Sequence, residues 1–388
     1  MAGAARDLPA GFEFRGGPRL VVGPGELRRL GALARELGGT RALVASDPGI
    51  VASGHTAVGL DSLAAAGVAT AVFDRFGENP TIAHVEAGAA LAREFRPDLL
   101  VGIGGGSSMD CAKGINFLHS CGGRMQDYRG RHTATGPMLP SIGVPTTAGT
   151  GSETQSFALV TDPATGMKLA CGDPRAAFRI AILDVELTLT QPRRIAALTG
   201  VDAVSHAVES FVSRAATPAS RVFAREAWRL LATHLPEVLA DRADVAARAA
   251  VQLAAAWAGL AIENSMLGAA HALANPLTAA HAVVHGQAVG LMLPHVVRFN
   301  AAACGADYAA LLADVGLQAT PATAGERLAE WLSTLVAAAR LATSLTGLGI
   351  TAPDVPALAA AAAAQWTAGF NPRPVTAAEL ARAYEAAR

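Results

Sequence analysis

Four side chains in the second half of the chain have types and spacing that suit a divalent metal. Asp202 and His206 are four residues apart on a predicted helix, which places both side chains on one helical face. His271 and His285 follow on later segments. One carboxylate and three imidazoles suit iron(II) or zinc, with an open position for a substrate oxygen.

The surroundings of these residues are strongly apolar, with Ala-Leu-Thr-Gly-Val before Asp202 and Met-Leu-Gly-Ala-Ala before His271. Buried acids and imidazoles need a partner or an ion. For a single histidine, an ordinary polar residue of the core or a cleft is the better interpretation. The four residues together favour the metal. His281 lies one helical turn before His285 and is a weaker candidate, as a proton relay or as a plain polar residue of the cleft rim.

A glycine-rich loop in the first half has the composition of a phosphate-binding turn. Gly102 to Ser108 follows a strand-like run and opens a predicted helix near Met109, with Ser107 or Ser108 as candidate caps. A tight turn for strand–helix packing is the alternative. The order of strand, glycines and helix favours dinucleotide binding.

Three further features suit a nucleotide. Asp47 ends an earlier strand and could bind ribose hydroxyls, which would favour NAD over NADP, or could form an Asx turn before Pro48. The run from Pro145 to Glu153, which includes Ser152, offers hydroxyl side chains for phosphate, ribose or nicotinamide, but could also be a surface loop. Lys168 could add a cation to the site, or could be a solvated lysine.

The elements that must position these residues fall into two kinds. Strand-like and helical runs alternate in the first half, which predicts a parallel sheet flanked by helices. The predicted strands are 41–46, 69–73, 97–103, 141–144 and 181–183, and the predicted helices are 27–37 and 81–95.

After about Pro192 the strand-like runs stop and helical patterns take over. The prediction is an α/β plus all-α protein: a Rossmann-like dinucleotide-binding domain over 1–190 and a helical metal-binding domain over 191–388. The predicted helices of the second part are 194–213, 218–239, 242–267, 325–341 and 355–370.

Composition excludes several classes of partner. The chain has 388 residues, 51% apolar and 16% charged, with a net charge of −1, so we expect a large core and no affinity for nucleic acid or anionic lipid. Its four cysteines are typical of reduced thiols in a cytoplasmic protein. No leader or membrane-spanning stretch is evident, and the Ala-rich run 358–364 is too short to span.

With these motifs in place, the chain resembles the iron-containing (group III) alcohol dehydrogenases over nearly its whole length. The strings that carry the resemblance are Gly-Gly-Gly-Ser-Ser-Met-Asp-Cys-Ala-Lys113, 145–153, 200–209, 268–271, 284–286 and 293–295. The resemblance implies a metal in a cleft between two domains, with Asp202, His206, His271 and His285 as its ligands. It implies a dimer or larger oligomer.

The same resemblance implies a cofactor path through the first domain. It places Asp47 at the ribose-discriminating position, Asn79 near the cofactor, and Gly105, Gly106 and Ser107 at the pyrophosphate. Thr146, Thr147 and Thr150 lie along the cofactor. Many relatives carry a proton-relaying histidine four residues after His271, where this chain has Asn275, an amide that cannot exchange a proton near neutral pH.

The predicted function is therefore a metal-dependent, NAD-linked alcohol dehydrogenase or aldehyde reductase that polarises the substrate oxygen. Three alternatives stay open: a maleylacetate-reductase-type oxo-acid reductase, a dehydroquinate-synthase-like lyase, and a non-enzymatic cofactor-binding protein with a structural metal. The run Phe370-Asn-Pro-Arg-Pro374 has some resemblance to maleylacetate reductases, whereas the complete metal-ligand set favours the alcohol dehydrogenase.

Overall fold

The computed structural model describes residues 11–164, 166–240 and 244–388. Within these residues all strands lie in the first half of the chain. They are β1 (Arg19–Val22), β2 (Arg41–Ala45), β3 (Ala69–Phe73), β4 (Leu99–Gly104), β5 (Gly130–Arg131), β6 (Ser141–Pro145), β7 (Phe157–Thr161), β8 (Lys168–Gly172) and β9 (Ile180–Leu183).

Six of the strands form a parallel sheet in the order β1-β9-β6-β4-β2-β3. The central strands β4 and β6 are buried along their whole length, as expected for a parallel sheet covered by helices on both faces. Separate apolar cores fill the two faces. The five predicted strands are confirmed to within two residues at each end.

A second, three-stranded sheet was not predicted. Its order is β5-β8-β7, with β7 and β8 antiparallel. Only two residues make up β5, and β7 pairs with β8 across a short connection, so neither gives the strand–helix alternation that indicated the main sheet.

The helices of the first half are α1 (Leu30–Glu36), α2 (Pro48–Ala52), α3 (His55–Ala65), α4 (Ile82–Phe95) and α5 (Gly106–Cys121). The predicted start of α5 near Met109 is wrong, because the helix begins at Gly106, the last glycine of the loop. Ser107 and Ser108 therefore lie in the first turn and do not cap it: the N-cap is Gly105, which has no side chain to offer.

Within its described residues the second half contains helices and no strand, which confirms the predicted fold class. Its helices are α6 (Arg193–Val212), α7 (Pro218–Leu239), α8 (Val245–Glu263), α9 (Ala269–His281), α10 (His285–Asp314), α11 (Ala324–Ala338), α12 (Val355–Ala363) and α13 (Ala377–Ala386). The predicted helix 355–370 is too long, since a 3₁₀ turn over Trp366–Phe370 follows α12. The predicted start of another helix at residue 242 lies outside the described residues.

Two of these helices correct the expectation that no segment is long and apolar enough to cross a membrane. By length and composition α6 and α8 could cross a membrane. However, 89% and 61% of the most apolar 18-residue stretch of α6 and α8, respectively, is buried inside the protein. Burial on this scale identifies both as core helices, and they contribute to one continuous apolar core in the helical half.

The halves meet through close backbone approaches at the carboxyl end of the sheet. A Cβ on Gly149, after β6, would lie 2.3 Å from Cβ of Thr199 on α6, and one on Gly151 would lie 2.5 Å from Cα of Gly259 on α8. Glycine is required there because any side chain would push the sheet away from the helices. The loop after β6 consequently faces α6.

Candidate active site

Three imidazoles from three helices converge on one carboxylate oxygen. We call Asp202, His206, His271 and His285 the His-Asp cluster. Asp202 and His206 lie one turn apart on α6, His271 lies in the first turn of α9, and His285 is the first residue of α10. From Oδ1 of Asp202, the Nε2 atoms of the three imidazoles are 3.4, 3.6 and 3.8 Å away, in chain order.

Burial and mutual proximity shift the ionisation of the cluster. Burial alone would raise the pKa of Asp202, but the imidazoles of His206, His271 and His285 hold it well below its ordinary range. Burial lowers the pKa of His206, and it lowers that of His285 to about 3. Burial would lower the pKa of His271 as well, but two carboxylates, Asp202 and Glu209, raise it to about 9.

The cluster fits a divalent metal ion. Oδ1 of Asp202 and Nε2 of His271 are buried without a hydrogen-bond partner, although both could readily find one in water. The ligand atoms of Asp202, His271 and His285 lie within 4.8 Å of one another, and the additional imidazole of His206 completes an oxygen–nitrogen set of the kind that iron(II) and zinc accept. An ion bound here would satisfy the orphaned atoms.

The glycine loop and the second hydroxyl-rich loop face each other, and we call them together the cradle (Gly104–Ser108 and Thr146–Thr150). A Cβ on Gly105 would lie 3.4 Å from Oγ1 of Thr147, and one on Gly106 would lie 2.8 Å from Cγ2 of Thr150. Because Gly105 offers no side-chain cap, the first amides of α5 are left for an anion. Thr146 adds a buried hydroxyl without a partner.

Asp47 and Asn79 lie beside the cradle. One Asp47 oxygen caps α2 by accepting from the amides of Gly49 and Ile50, and the other accepts from the Ser108 hydroxyl at 3.1 Å. The Asx-type turn is therefore present, and the same carboxylate reaches the glycine loop. Asn79 has a left-handed backbone (φ 55°), and its amide donates to Oγ of Ser107 at 3.1 Å.

Lys113, a buried lysine that was not predicted as a site residue, anchors the chain segment that directly follows the cradle. Lys113 is 1% exposed, and its Nζ donates to the carbonyl and the hydroxyl of Ser152 at 2.6 and 3.0 Å and to the carbonyl of Phe157 at 2.9 Å. The Ser152 hydroxyl, predicted to bind the cofactor, donates to Asp110 at 2.9 Å. The signal was available, since Lys113 and Lys168 are the only lysines in the sequence and Lys113 lies on the helix that follows the loop.

The remaining predicted residues are Lys168, Asn275 and His281. Lys168 begins β8, and its charge acts on both Asp110 of α5 and His285 of the His-Asp cluster. Asn275 is held by Gln365, to whose side-chain oxygen it donates at 3.0 Å. His281 is exposed at the end of α9, so its predicted relay role stays a prediction.

Comparisons with known proteins agree with this geometry. A family model described as iron-containing alcohol dehydrogenase matches residues 17–185, and a model for the C-terminal part of the same family matches residues 196–388. Together they cover both the cradle and the His-Asp cluster.

Individual relatives are similar over most of the chain. The NAD-dependent methanol dehydrogenase of Bacillus methanolicus is 35% identical over 73% of this chain and 74% of its own. The 1,3-propanediol dehydrogenase of Klebsiella pneumoniae is 33% identical over 94% and 96% of the two chains. A crystal structure of a 1,3-propanediol oxidoreductase superposes with a TM-score of 0.94 at 32% identity, covering 97% of this chain and all of that one.

Proposed function

The chain belongs to the iron-containing alcohol dehydrogenase family, and we propose that it transfers hydride between NAD and a small alcohol or aldehyde at a divalent metal. The observation that carries the proposal is the convergence of three imidazoles on one buried, unpartnered carboxylate oxygen. This convergence lies on the helical side of the loops that form the cradle, as Gly149 against Thr199 on α6 indicates.

Asp202, His206, His271 and His285 would hold the ion. A divalent ion in this position supplies a Lewis acid that stabilises negative charge on the oxygen of an alcohol or aldehyde. The protein contributes the dry, buried environment and the orientation of the reactants, since every residue of the cluster except the half-buried His285 is at most 5% exposed.

The cradle would hold the pyrophosphate of NAD on Gly105, Gly106 and Ser107, and Thr146, Thr147 and Thr150 would line the rest of the cofactor. Asp47 favours NAD over NADP, because its carboxylate would repel a 2′-phosphate. Asn79, Ser152 and Lys168 would complete the cofactor site, Ser152 through the position of its loop and Lys168 through its charge.

The substrate class is proposed from the relatives. Their names specify methanol, 1,3-propanediol and lactaldehyde as substrates. We propose short primary alcohols and the matching aldehydes for this chain. A proton must also leave the site, and Asn275 cannot carry it. Solvent, the cofactor ribose and His281 stay the candidates for that step.

The alternative reactions are not favoured. The relatives are alcohol or aldehyde dehydrogenases and reductases, which gives no support to a maleylacetate-reductase-type or dehydroquinate-synthase-like activity. The Asn-Pro-Arg run that suggested the former has a structural position, described below.

The protein is soluble, since its membrane-length helices are core helices and its fold matches that of crystallised enzymes. We propose a cytoplasmic location, supported by four free cysteines of which three are buried. A homodimer or larger oligomer is proposed, because β1 lies at an edge of the main sheet and its Val22 is 49% exposed. We place the domain boundary between residues 190 and 191, in the connection from β9 to α6.

The first experiment combines metal analysis of the purified protein with NADH formation from short alcohols, in parallel with NAD and NADP. We expect one iron or zinc per chain, activity that a chelator removes and the metal restores, and a preference for NAD. Absence of metal and of alcohol oxidation, with reduction of an oxo-acid by NADH, would replace this proposal by the maleylacetate-reductase type.

A further inference from the structure

Glu209 lies behind the His-Asp cluster and uses both of its carboxylate oxygens. It is on α6 and 4% exposed. Its Oε2 is 2.6 Å from Nδ1 of His271, and its Oε1 accepts the backbone amide of Ala270 at 2.7 Å. Because both oxygens face N–H groups, Nδ1 of His271 carries a proton, and Nε2, which faces Asp202, is the nitrogen left to bind a metal ion.

The other two imidazoles of the cluster have no such support. Nδ1 of His206 and Nδ1 of His285 are buried and have no carboxylate partner, and the group that bonds to His206 is the backbone of Gly149. His271 is therefore the one cluster histidine whose tautomer and ring orientation are fixed by a carboxylate of the protein.

Asn371 anchors the same helix from the C-terminal segment. Its Oδ1 accepts the amide of Ala269 at 3.3 Å, and it exchanges two 2.9 Å hydrogen bonds with Asn300 on α10. Helix α9 has no cap of its own, since its N-cap is Gly268, and a Cβ there would lie 2.9 Å from Oε1 of Glu209. Two side chains from distant parts of the sequence thus satisfy the first amides of α9.

We propose that Glu209 is the positioning residue of the metal site, with Asn371 as its auxiliary: together they cap α9 and hold His271 in the tautomer that can bind the ion. This inference rests on the proposed function, because it assumes that the cluster binds a metal. It also assigns a role to the Asn-Pro-Arg run, whose Arg373 carbonyl accepts from Nδ2 of Asn371 at 2.8 Å.

The substitution Glu209→Gln tests whether both hydrogen bonds of Glu209 are needed. Glutamine has the shape of glutamate but only one accepting atom, and Glu209 meets two donors. If the amide oxygen accepts from Ala270, the NH₂ group must donate to Nδ1 of His271. The imidazole proton then moves to Nε2, the atom that has to bind the metal. If the oxygen accepts from His271 instead, the NH₂ group faces the amide of Ala270.

The test compares Glu209→Gln with wild type and with Glu326→Gln, a control that makes the same chemical change at an exposed glutamate paired with Arg298. The affinity for Zn²⁺ is measured on metal-free protein by competition with a chromogenic chelator, and Co²⁺ absorption reports the ligand geometry. We expect Glu209→Gln to bind Zn²⁺ roughly 10- to 100-fold more weakly, with an altered Co²⁺ spectrum, unchanged NAD binding and no effect in the control.

Two more variants separate positioning from packing. Glu209→Asp keeps two accepting oxygens on a shorter side chain and should bind Zn²⁺ more tightly than Glu209→Gln. Asn371→Ala removes a cap but leaves the bond to His271, so its loss should be smaller than that of Glu209→Gln.

Wild-type Zn²⁺ affinity and Co²⁺ spectrum in Glu209→Gln would overturn the inference, as would an Asp variant no better than Gln. If Glu209→Gln does not fold, the order of the Asp and Asn371 variants decides the question. Wild-type protein that binds no divalent metal would remove the proposed function itself, whereas normal wild-type binding with an insensitive Glu209→Gln would remove only this inference.

Discussion

The cradle offers its ligand mainly backbone groups, whereas the His-Asp cluster offers side-chain atoms. In the cradle and around Lys113, most polar side chains already have protein partners. Ser107 accepts from Asn79, Ser108 donates to Asp47, and Lys113 has three acceptors. What remains for a ligand is mainly backbone amides and the space that glycines leave. In the cluster the side-chain atoms themselves lack partners.

This difference predicts opposite sensitivities to mutation. A site made of backbone and space is damaged by adding atoms, whereas a site made of converging side chains is damaged by removing charge or a ligand atom. The two sites should also fail separately, because they lie on different elements. The following predictions test that separation.

The largest effect is expected for Asp202→Asn. The change keeps the shape of the side chain but removes the charge that all three imidazoles face, so metal affinity should fall by more than the roughly 100-fold upper range for partners outside the ligand set. Turnover should be lost while NAD still binds. Metal content, NADH formation and NAD titration measure the three quantities, and full metal occupancy with a normal rate would show that Asp202 is not a ligand.

Lys113→Met tests the support of the cradle. Removing the ammonium leaves the carbonyls of Ser152 and Phe157 without their donor and removes a positive charge that acts on Asp110. Each buried acceptor left unsatisfied costs about 1–3 kcal/mol. Burial lowers the pKa of Lys113 to about 8, so the group is charged at neutral pH. Urea unfolding should show this loss. Metal content per folded chain should stay at the wild-type value, and a parallel loss of metal would mean that the two sites are not separate.

Gly106→Ala adds one methyl group to the cradle. The new Cβ would lie 2.8 Å from Cγ2 and 3.0 Å from Oγ1 of Thr150. Overpacking of this kind costs about 1–3 kcal/mol and is relieved when the two loops move apart. Restoring the loop positions that NAD requires would cost up to the same free energy, which corresponds to roughly 5- to 150-fold weaker NAD binding. Metal affinity should not change. A second substitution, Thr150→Ala, removes the clashing atoms and should recover part of the NAD affinity; if it does not, the methyl group acts elsewhere.

The two sites also differ in how far the sequence could predict them. The spacing of Asp202 and His206 indicated a shared helical face, and the structure places them one turn apart on α6. The partner of His271 could not be predicted in the same way, because Glu209 lies 62 residues away and is brought close only where the first turn of α9 meets α6. Spacing identifies neighbours on one helix but not contacts between helices.

For the cradle, the glycines indicated a loop between strand and helix but not which residues it faces. The contact of Gly106 with Thr150 depends on β4 and β6 being adjacent in the sheet, which pairs Gly104 with Pro145 and brings their two following loops together. The predicted start of α5 was too late because a serine side chain can cap a helix by accepting a backbone hydrogen bond, whereas the residue at the cap here is Gly105, which has no side chain.

The smallest effect is expected for Glu153→Gln, which changes a charge below the cradle without touching either ligand. Glu153 is 3% exposed, and burial raises its pKa from 4.5 to about 7 although Lys113 acts to lower it. The folded chain therefore holds this proton more tightly than the unfolded chain. Its contribution to the free energy of unfolding is present below pH 4.5 and is lost as pH rises to about 7.

Glutamine has no such proton to lose, so the variant should be more stable than wild type at pH 8 by about 1–2 kcal/mol. This lies below the roughly 3 kcal/mol that the whole pKa shift would allow, because the attraction to Lys113 disappears with the charge. At pH 4.5 the difference should shrink towards zero. Urea unfolding of both proteins at the two pH values measures it. If the stability difference is the same at both pH values, Glu153 is ionised in the folded chain at both. Its charge would then be as fully compensated by neighbouring groups as that of Lys113.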